Sequence, residues 1–199
     1  MTETIDTAIR DSIKAIEQLK LHKPFIEKAA SLLAFTFNHG GKIILAGNGG
    51  SLCDAAHFAE ELTGYFRKPR KALPAIVLSE PGHITCTAND SHFDEVFARG
   101  VEAFGKPGDL FIGLTTSGNS PNIIRAFEEA QKKGLKTIAF LGKGGGKLKG
   151  VADLEMIIEG FQTSDRIQEA HMAAIHIILE VMESILFKSP KELLKECAV

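Results

Sequence analysis

The sequence predicts a three-layer αβα fold: a central parallel sheet of about five strands, two helices ahead of it, and a long buried helix at the C-terminal end. Three observations predict it. Short apolar runs recur at 42–46, 74–79, 109–114, 136–141 and 154–158, each too short for a typical helix and several rich in Ile or Val. Helix-length segments separate most of these runs, and strands alternating with helices build βαβ units around a mostly parallel sheet. The last long segment, about 165–187, is apolar on nearly every side (Ile175, Ile177, Ile178, Leu179, Val181, Met182, Ile185). A helix that is apolar all round must be buried.

Each element has its own signal. Over residues 3–38 apolar side chains recur at helical spacing, first Ile5, Ala8, Ile9, Ile13 and Ile16, then Ile26, Ala29, Leu32 and Leu33, with a break near 22–24. This reads as two helices before any strand. The first strand runs into "GNGGS" at 47–51, and the third runs into "TTSGNSPNII" at 115–124. In the second loop Ser120 and Pro121 mark a helix start: a side-chain oxygen for the N-cap, then a proline whose missing N–H costs nothing at the first helical position. Glycines and hydroxyls between a strand and a helix suit a phosphate, because the unpaired N–H groups point outward and the helix dipole favours negative charge. No lysine follows the glycines of "GNGGS" as a Walker loop requires, and the dinucleotide fingerprint is incomplete, so a nucleotide is not implied. The glycine-rich, basic "GKGGGKLKG" at 142–150 reads as a flexible connection.

Composition narrows the partners. The chain has 199 residues, 44% of them apolar and 24% charged, which is ordinary for one globular domain. A net charge of −2 gives no reason to expect nucleic acid or an acidic membrane surface, so any anion must be bound locally. Cys53, Cys86 and Cys197 have neither metal-ligand nor paired spacing and suit reduced thiols in a cytoplasm. The first twenty residues are charged throughout, unlike a signal peptide, and no run approaches eighteen apolar residues. The expectation is a cytoplasmic protein with no membrane partner.

The candidate chemistry lies in two clusters. In "SLCDAAHFAEELTG" a helix places His57 and Glu61 one turn apart on one face, with Glu60 about a quarter-turn away. A carboxylate beside an imidazole can be a general base, and equally a pair of metal ligands. The second cluster, "SDRIQEAHMAAIH" at 164–176, sets Asp165, Arg166, Gln168, Glu169, His171 and His176 at the head of the most apolar helix. Polar groups there must be paired or functional, since an unsatisfied buried group costs about 1–3 kcal/mol. Spacing does not decide which histidine matters. Gln168 with His171 is the easier pair on one helical face, whereas His176 is two turns beyond Gln168.

Together and in this order, "GNGGS…DAAHFAEELTG", "AND" at 88–90, "TTSGNS" and "DRIQE.H....H" closely resemble the bacterial phosphoheptose isomerases, members of the sugar-isomerase (SIS) fold class. The resemblance spans essentially the whole chain. It implies one SIS domain over 1–199, with 1–40 a helical extension for oligomerisation and 41–199 the αβα core. It implies an enzyme that converts the phosphorylated seven-carbon sugar sedoheptulose 7-phosphate to D-glycero-D-manno-heptose 7-phosphate, the first step toward nucleotide-activated heptoses.

By the same resemblance, substrate contacts fall on Asn48, Gly49, Gly50, Glu61, Asn89, Asp90, Thr115, Thr116, Ser117, Ser120 and Gln168. The catalytic pair falls on Glu61 and His176, and the ligands of one zinc per subunit on His57, Glu61, Gln168 and His176. The resemblance thus selects His176 where spacing leans to His171. It also implies a homotetramer with sites at subunit boundaries. Thr115 departs from the more familiar serine but keeps the hydroxyl. Two other readings share the fold: a noncatalytic tetramer that binds a replication initiator, and an isomerase of another phosphosugar such as arabinose 5-phosphate. Glu61 and His57 argue for the enzyme, since an interaction protein has no need of them.

Overall fold

The computed structural model describes residues 1–187; Cys197 lies outside the described residues. Helices α1 (Thr2–Glu17) and α2 (Lys23–Asn38) come first, joined by a 3-10 turn at Gln18–Lys20. Pro24 sits in the first turn of α2, where no N–H is needed. There follow β1 (Ile43–Gly47), α3 (Gly50–Thr63), β2 (Ala75–Val77), α4 (Pro81–Asp90), α5 (Val96–Phe104), β3 (Leu110–Thr115), α6 (Pro121–Lys132), β4 (Lys136–Gly142), β5 (Leu154–Ile158) and α7 (Ser164–Phe187).

All five strands are parallel, in the order β2-β1-β3-β4-β5. Successive strand side chains point to opposite faces, and the core divides accordingly. Ile43 and Leu45 of β1, Ile112 of β3 and Phe140 of β4 face α2, α3 and α7. Ile44, Phe111 and Ala139 face α5 and α6. Edge-to-face contacts lock each layer, Phe25 on Phe140 at 5.6 Å and Phe111 on Phe127 at 5.0 Å between ring centroids. The three layers and the five-strand sheet are those the sequence predicts, with strand bounds shifted by about a residue.

Two local expectations change. The 142–150 segment is not a loose connection. It forms a 3-10 turn at Lys143–Leu148, with Leu148 fully buried. The Leu148 N–H donates to the Gly118 carbonyl (3.2 Å) and the Lys147 N–H to Asn119 Oδ1 (3.1 Å), so this turn packs against the 115–120 loop. The second change concerns burial. α7 has the length and composition of a membrane span, yet one face of it is a core face, with Ile167, Ala170, Ala174, Ile175, Ile178 and Met182 fully buried. Its other face carries Ile177 and Ile185, 39% and 47% exposed within the single chain. Helix α1 likewise leaves Ile5, Ile9, Ile13 and Ile16 exposed while Ala15 is buried.

Candidate active site

The strand order reverses direction about β1: the chain crosses from β1 to β2 on one side and later to β3 on the other. In open parallel sheets ligands bind outside the carboxyl ends of the strands at such a switch point. The two glycine- and hydroxyl-rich loops leave the carboxyl ends of β1 and β3, the neighbouring strands at this point.

Between them lies a cleft of about 380 Å³ lined by Asn48, Gly50, Ser51, Leu114, Thr115, Thr116, Ser117, Ser120, Ser164 and Gln168. No lining side chain is charged. Three helices, α3, α6 and α7, begin at this cleft, at Gly50, Pro121 and Ser164. Each N-terminus presents free N–H groups and about half a positive charge, so a polar, uncharged cleft here is suited to an anion.

Side-chain hydrogen bonds hold the loops in register. The Asn48 and Asn122 amides donate to each other's Oδ1, both at 2.9 Å. Thr116 and Ser164 share a hydroxyl bond of 2.9 Å, which joins the 115–120 loop to the start of α7. Ser120 stands at the N-cap of α6, but its hydroxyl does not cap the helix; it faces Thr115 Oγ1 at 3.4 Å. Pro121 has no N–H and the Ile123 N–H turns back to the Ser120 carbonyl (3.1 Å), so the Ser120 hydroxyl is free of helix capping. The Gln168 amide donates to Ser51 Oγ at 3.2 Å and lies so close to α3 that a Cβ on Gly50 would stand 2.7 Å from it.

Further along the same helices a second group converges. His57 Nε2 lies 3.0 Å from His176 Nε2 and 3.4 Å from Glu61 Oε1, and one ligand atom from each residue falls within 4.8 Å of the others. Two imidazoles and a carboxylate aimed at one point form a donor set suited to a divalent metal that keeps an open position. Glu60 is more exposed, and its carboxylate is 3.9 Å from His57 Nδ1. One turn ahead of His57, burial pushes the Asp54 carboxyl up to about 6 against the opposing pull of His57, and its Oδ2 has no hydrogen-bond partner among the described residues.

His171 does not join this group. It is fully buried on the sheet side of α7, where Nε2 donates to the Leu141 carbonyl at 2.9 Å and Phe140 packs edge-on to the ring. The pairing of Gln168 with His171 suggested by helical spacing is therefore corrected. The i+3 offset turns His171 toward β4, while Gln168 and His176 both turn toward α3.

The structure gathers Asn48, Gly50, Thr115, Thr116, Ser117, Ser120 and Gln168 into the cleft, and His57, Glu61 and His176 into the metal-type cluster. Gly49, with φ +55°, is the N-cap of α3 beside the cleft. Asn89 and Asp90 lie exposed at the end of α4 and bond to each other; the cleft lining does not include them. Sequence reasoning assigned no role to Ser51, Ser164, Asn122 or Asp54. A serine in the first turn of a helix that leaves a loop would have flagged the first two; the Asn48–Asn122 pair spans 74 residues and has no local signal.

A family model described as the SIS domain matches residues 7–142. A phosphoheptose isomerase of Fusobacterium nucleatum is 59% identical over 161 residues, which cover 81% of this chain and 82% of that one. The chain belongs to the phosphoheptose isomerase family. A phosphoheptose isomerase of Vibrio cholerae is 54% identical over 158 residues, covering 79% of this chain and 83% of the relative. Two solved phosphoheptose isomerases share the fold closely. That of Francisella tularensis superposes with a TM-score of 0.87 at 34% identity, covering 92% of this chain and 98% of its own. That of Neisseria gonorrhoeae superposes with 0.84 at 35%, with the same coverage.

Proposed function

We infer that this chain interconverts sedoheptulose 7-phosphate and D-glycero-D-manno-heptose 7-phosphate, an aldose–ketose isomerisation through an enediol. The observation that carries the reading is the placement of two different sites along the same pair of helices. An uncharged anion cleft lies at the N-termini of α3 and α7, and His57, Glu61 and His176 converge beyond it. His57 is seven residues past Gly50, so about 10 Å of helix separates the cleft from the cluster. A phosphate held at one end and a carbonyl at the other would need a sugar chain of several carbons to bridge them, which supports a long phosphosugar.

In this reading the phosphate sits among Thr115, Thr116, Ser117, Ser120 and the α6 N-terminus, with Asn48, Gly49, Gly50 and Gln168 along the sugar. Asn89 and Asp90 stand as further sugar contacts. Binding energy spent at the phosphate orients C1 and C2 against the reacting groups. Glu61 removes a proton from C1 of the ketose and returns it to C2. His176 takes the proton of the C1 hydroxyl and supplies one to the C2 oxygen, so the reaction balances with no external oxidant or reductant. His57, Glu61 and His176 would hold one zinc per subunit, with Gln168 as a fourth ligand once its amide turns away from Ser51, and a bound zinc would supply Lewis-acid polarisation of the carbonyl. The enzyme is read as a cytoplasmic homotetramer, with residues 1–40 serving the subunit contacts. The noncatalytic reading is not favoured: the relatives carry an isomerase name, and this chain keeps Glu61 and His57.

Glu61→Gln tests the assignment of the base. It keeps size and hydrogen-bonding capacity but removes the basic oxygen, and kcat is expected to fall about 10²–10⁴-fold. Metal content and substrate binding are measured on the same sample. A variant that keeps both and turns over at a near-normal rate would move the base to another residue, with Glu60 next in position.

A further inference from the structure

The segment between α3 and β2 carries no regular structure, yet it lies along α7 in a repeating pattern. The Phe66 ring stacks on the His176 imidazole, with centroids 5.9 Å apart and planes 25° from parallel. The Arg67 guanidinium stands 5.1 Å from the centroid of the Phe66 ring and pairs with Glu180 at 2.5 Å. Arg70 pairs with Glu183 at 2.5 Å, its side chain only 5% exposed. Positions 176, 180 and 183 are spaced i, i+4, i+7, one stripe of a helix.

Arg70 also turns back to α3. Its guanidinium donates to the carbonyls of Glu61, Leu62 and Gly64 at that helix's C-terminal end, where the Leu62 carbonyl also accepts from the Leu73 N–H (3.0 Å). A buried arginine paired on one side and hydrogen-bonded to carbonyls on the other is a fixed spacer, because breaking either half leaves a buried charge without a partner. One short segment therefore touches both helices that carry the reacting pair. It holds the main chain of Glu61 through Arg70 and the ring of His176 through Phe66.

We propose that Phe66 is a positioning residue for His176, and that Arg70 with Glu183 anchors the strap that holds it there. His176 has one stacked neighbour in Phe66 and an edge-on neighbour in His57, with centroids 5.1 Å apart. Without the phenyl face the imidazole keeps only its contact with His57 Nε2 (3.0 Å), and the plane of the ring is no longer fixed against the reacting sugar. The cost falls on the chemical step more than on binding, since the phosphate cleft is built from other residues. This proposal rests on the assignment of His176 as the group that handles the oxygen-bound protons.

The test compares Phe66→Leu, Phe66→Tyr and His176→Gln in the full-length protein. Phe66→Leu is expected to lower kcat about tenfold to a hundredfold with KM little changed. Phe66→Tyr, which keeps the ring, restores most of the rate. In metal-free protein with labelled histidines, the ring-current shift of the His176 carbon-bound protons should be lost in Phe66→Leu and kept in Phe66→Tyr. Arg70→Lys should lower kcat in the same direction by a smaller factor.

If His176→Gln is inactive while Phe66→Leu keeps wild-type kcat, or keeps the His176 ring-current shift, the positioning role is overturned and the assignment of His176 stands. If His176→Gln turns over normally, both fall together. A Phe66→Leu protein that is merely less heat-stable, with kcat unchanged at a temperature where it is folded, is a structural effect and also overturns the proposal.

Discussion

His171 shows how one side chain is decided by its neighbours rather than by its type. Buried against β4, it makes one hydrogen bond to Leu141, leaves Nδ1 without a partner among the described residues, and has its pKa pushed by burial down to about 4. Between that value and the ordinary one near 6.5 the unfolded chain binds a proton that the folded chain does not, so stability falls as pH drops through this window. Asp54 acts in the opposite sense. Burial raises it to about 6, so the folded state holds its proton longer and stability falls as pH rises from about 4 to 6. The two effects overlap, which makes a variant comparison the cleaner test. Denaturant unfolding of His171→Gln between pH 7 and pH 4 is expected to show a shallower acid loss than wild type, by up to about 1.4 kcal/mol per pH unit. Parallel curves would contradict it. From the sequence, His171 and His176 were equal candidates on one helix, and spacing favoured the wrong one as a partner of Gln168. Which face of α7 meets the sheet and which meets α3 is a tertiary fact that periodicity does not carry when nearly every position is apolar.

At the scale of elements, the two loops that leave β1 and β3 were legible because strand, glycine or hydroxyl cluster and helix start follow one another locally. The 142–150 turn was not, because what orders it is a loop some thirty residues earlier. Gly118 is where the two meet: it has φ +63°, and a Cβ there would stand 1.8 Å from the Gly145 carbonyl oxygen. Gly118→Ala must therefore shift one loop, and the 115–120 loop is the one we propose holds the phosphate. KM is expected to rise at least tenfold with a smaller change in kcat, and a KM within twofold of wild type in steady-state kinetics would show that the loop absorbs the clash. Ser120→Ala probes the same loop more gently. The hydroxyl is not spent on capping α6, so the variant should keep its thermal stability within the small range of a surface change while KM rises. A drop in stability with KM unchanged would assign Ser120 to the helix and not to the phosphate.

Among the described residues, two helices leave rows of apolar side chains exposed. Ile5, Ile9 and Ile13 on α1 are each more than half exposed, and Ile177 and Ile185 on α7 are partly so. Apolar stripes of this kind mark contact surfaces, and they fit the homotetramer we propose. Ile9→Glu with Ile13→Glu should shift the sedimentation coefficient toward smaller species, and an unchanged tetramer would place the contact elsewhere; a wild-type chain that sediments as a monomer at micromolar concentration would remove the tetramer. The parallel five-strand sheet and the family followed from motifs spread along the chain, while the strand order and the length of the sugar did not, because no local pattern encodes which strands pair or the distance between an anion cleft and a reacting pair. That distance is what the central claim rests on. The most direct measurement is the initial rate of isomerisation of ketose phosphates of five, six and seven carbons by the purified protein, run with and without a chelator. The account predicts turnover of sedoheptulose 7-phosphate well above the shorter sugars, lost on chelation and recovered with zinc. Preference for a five-carbon phosphate, or no turnover of the seven-carbon one by folded, metal-replete protein, would contradict it.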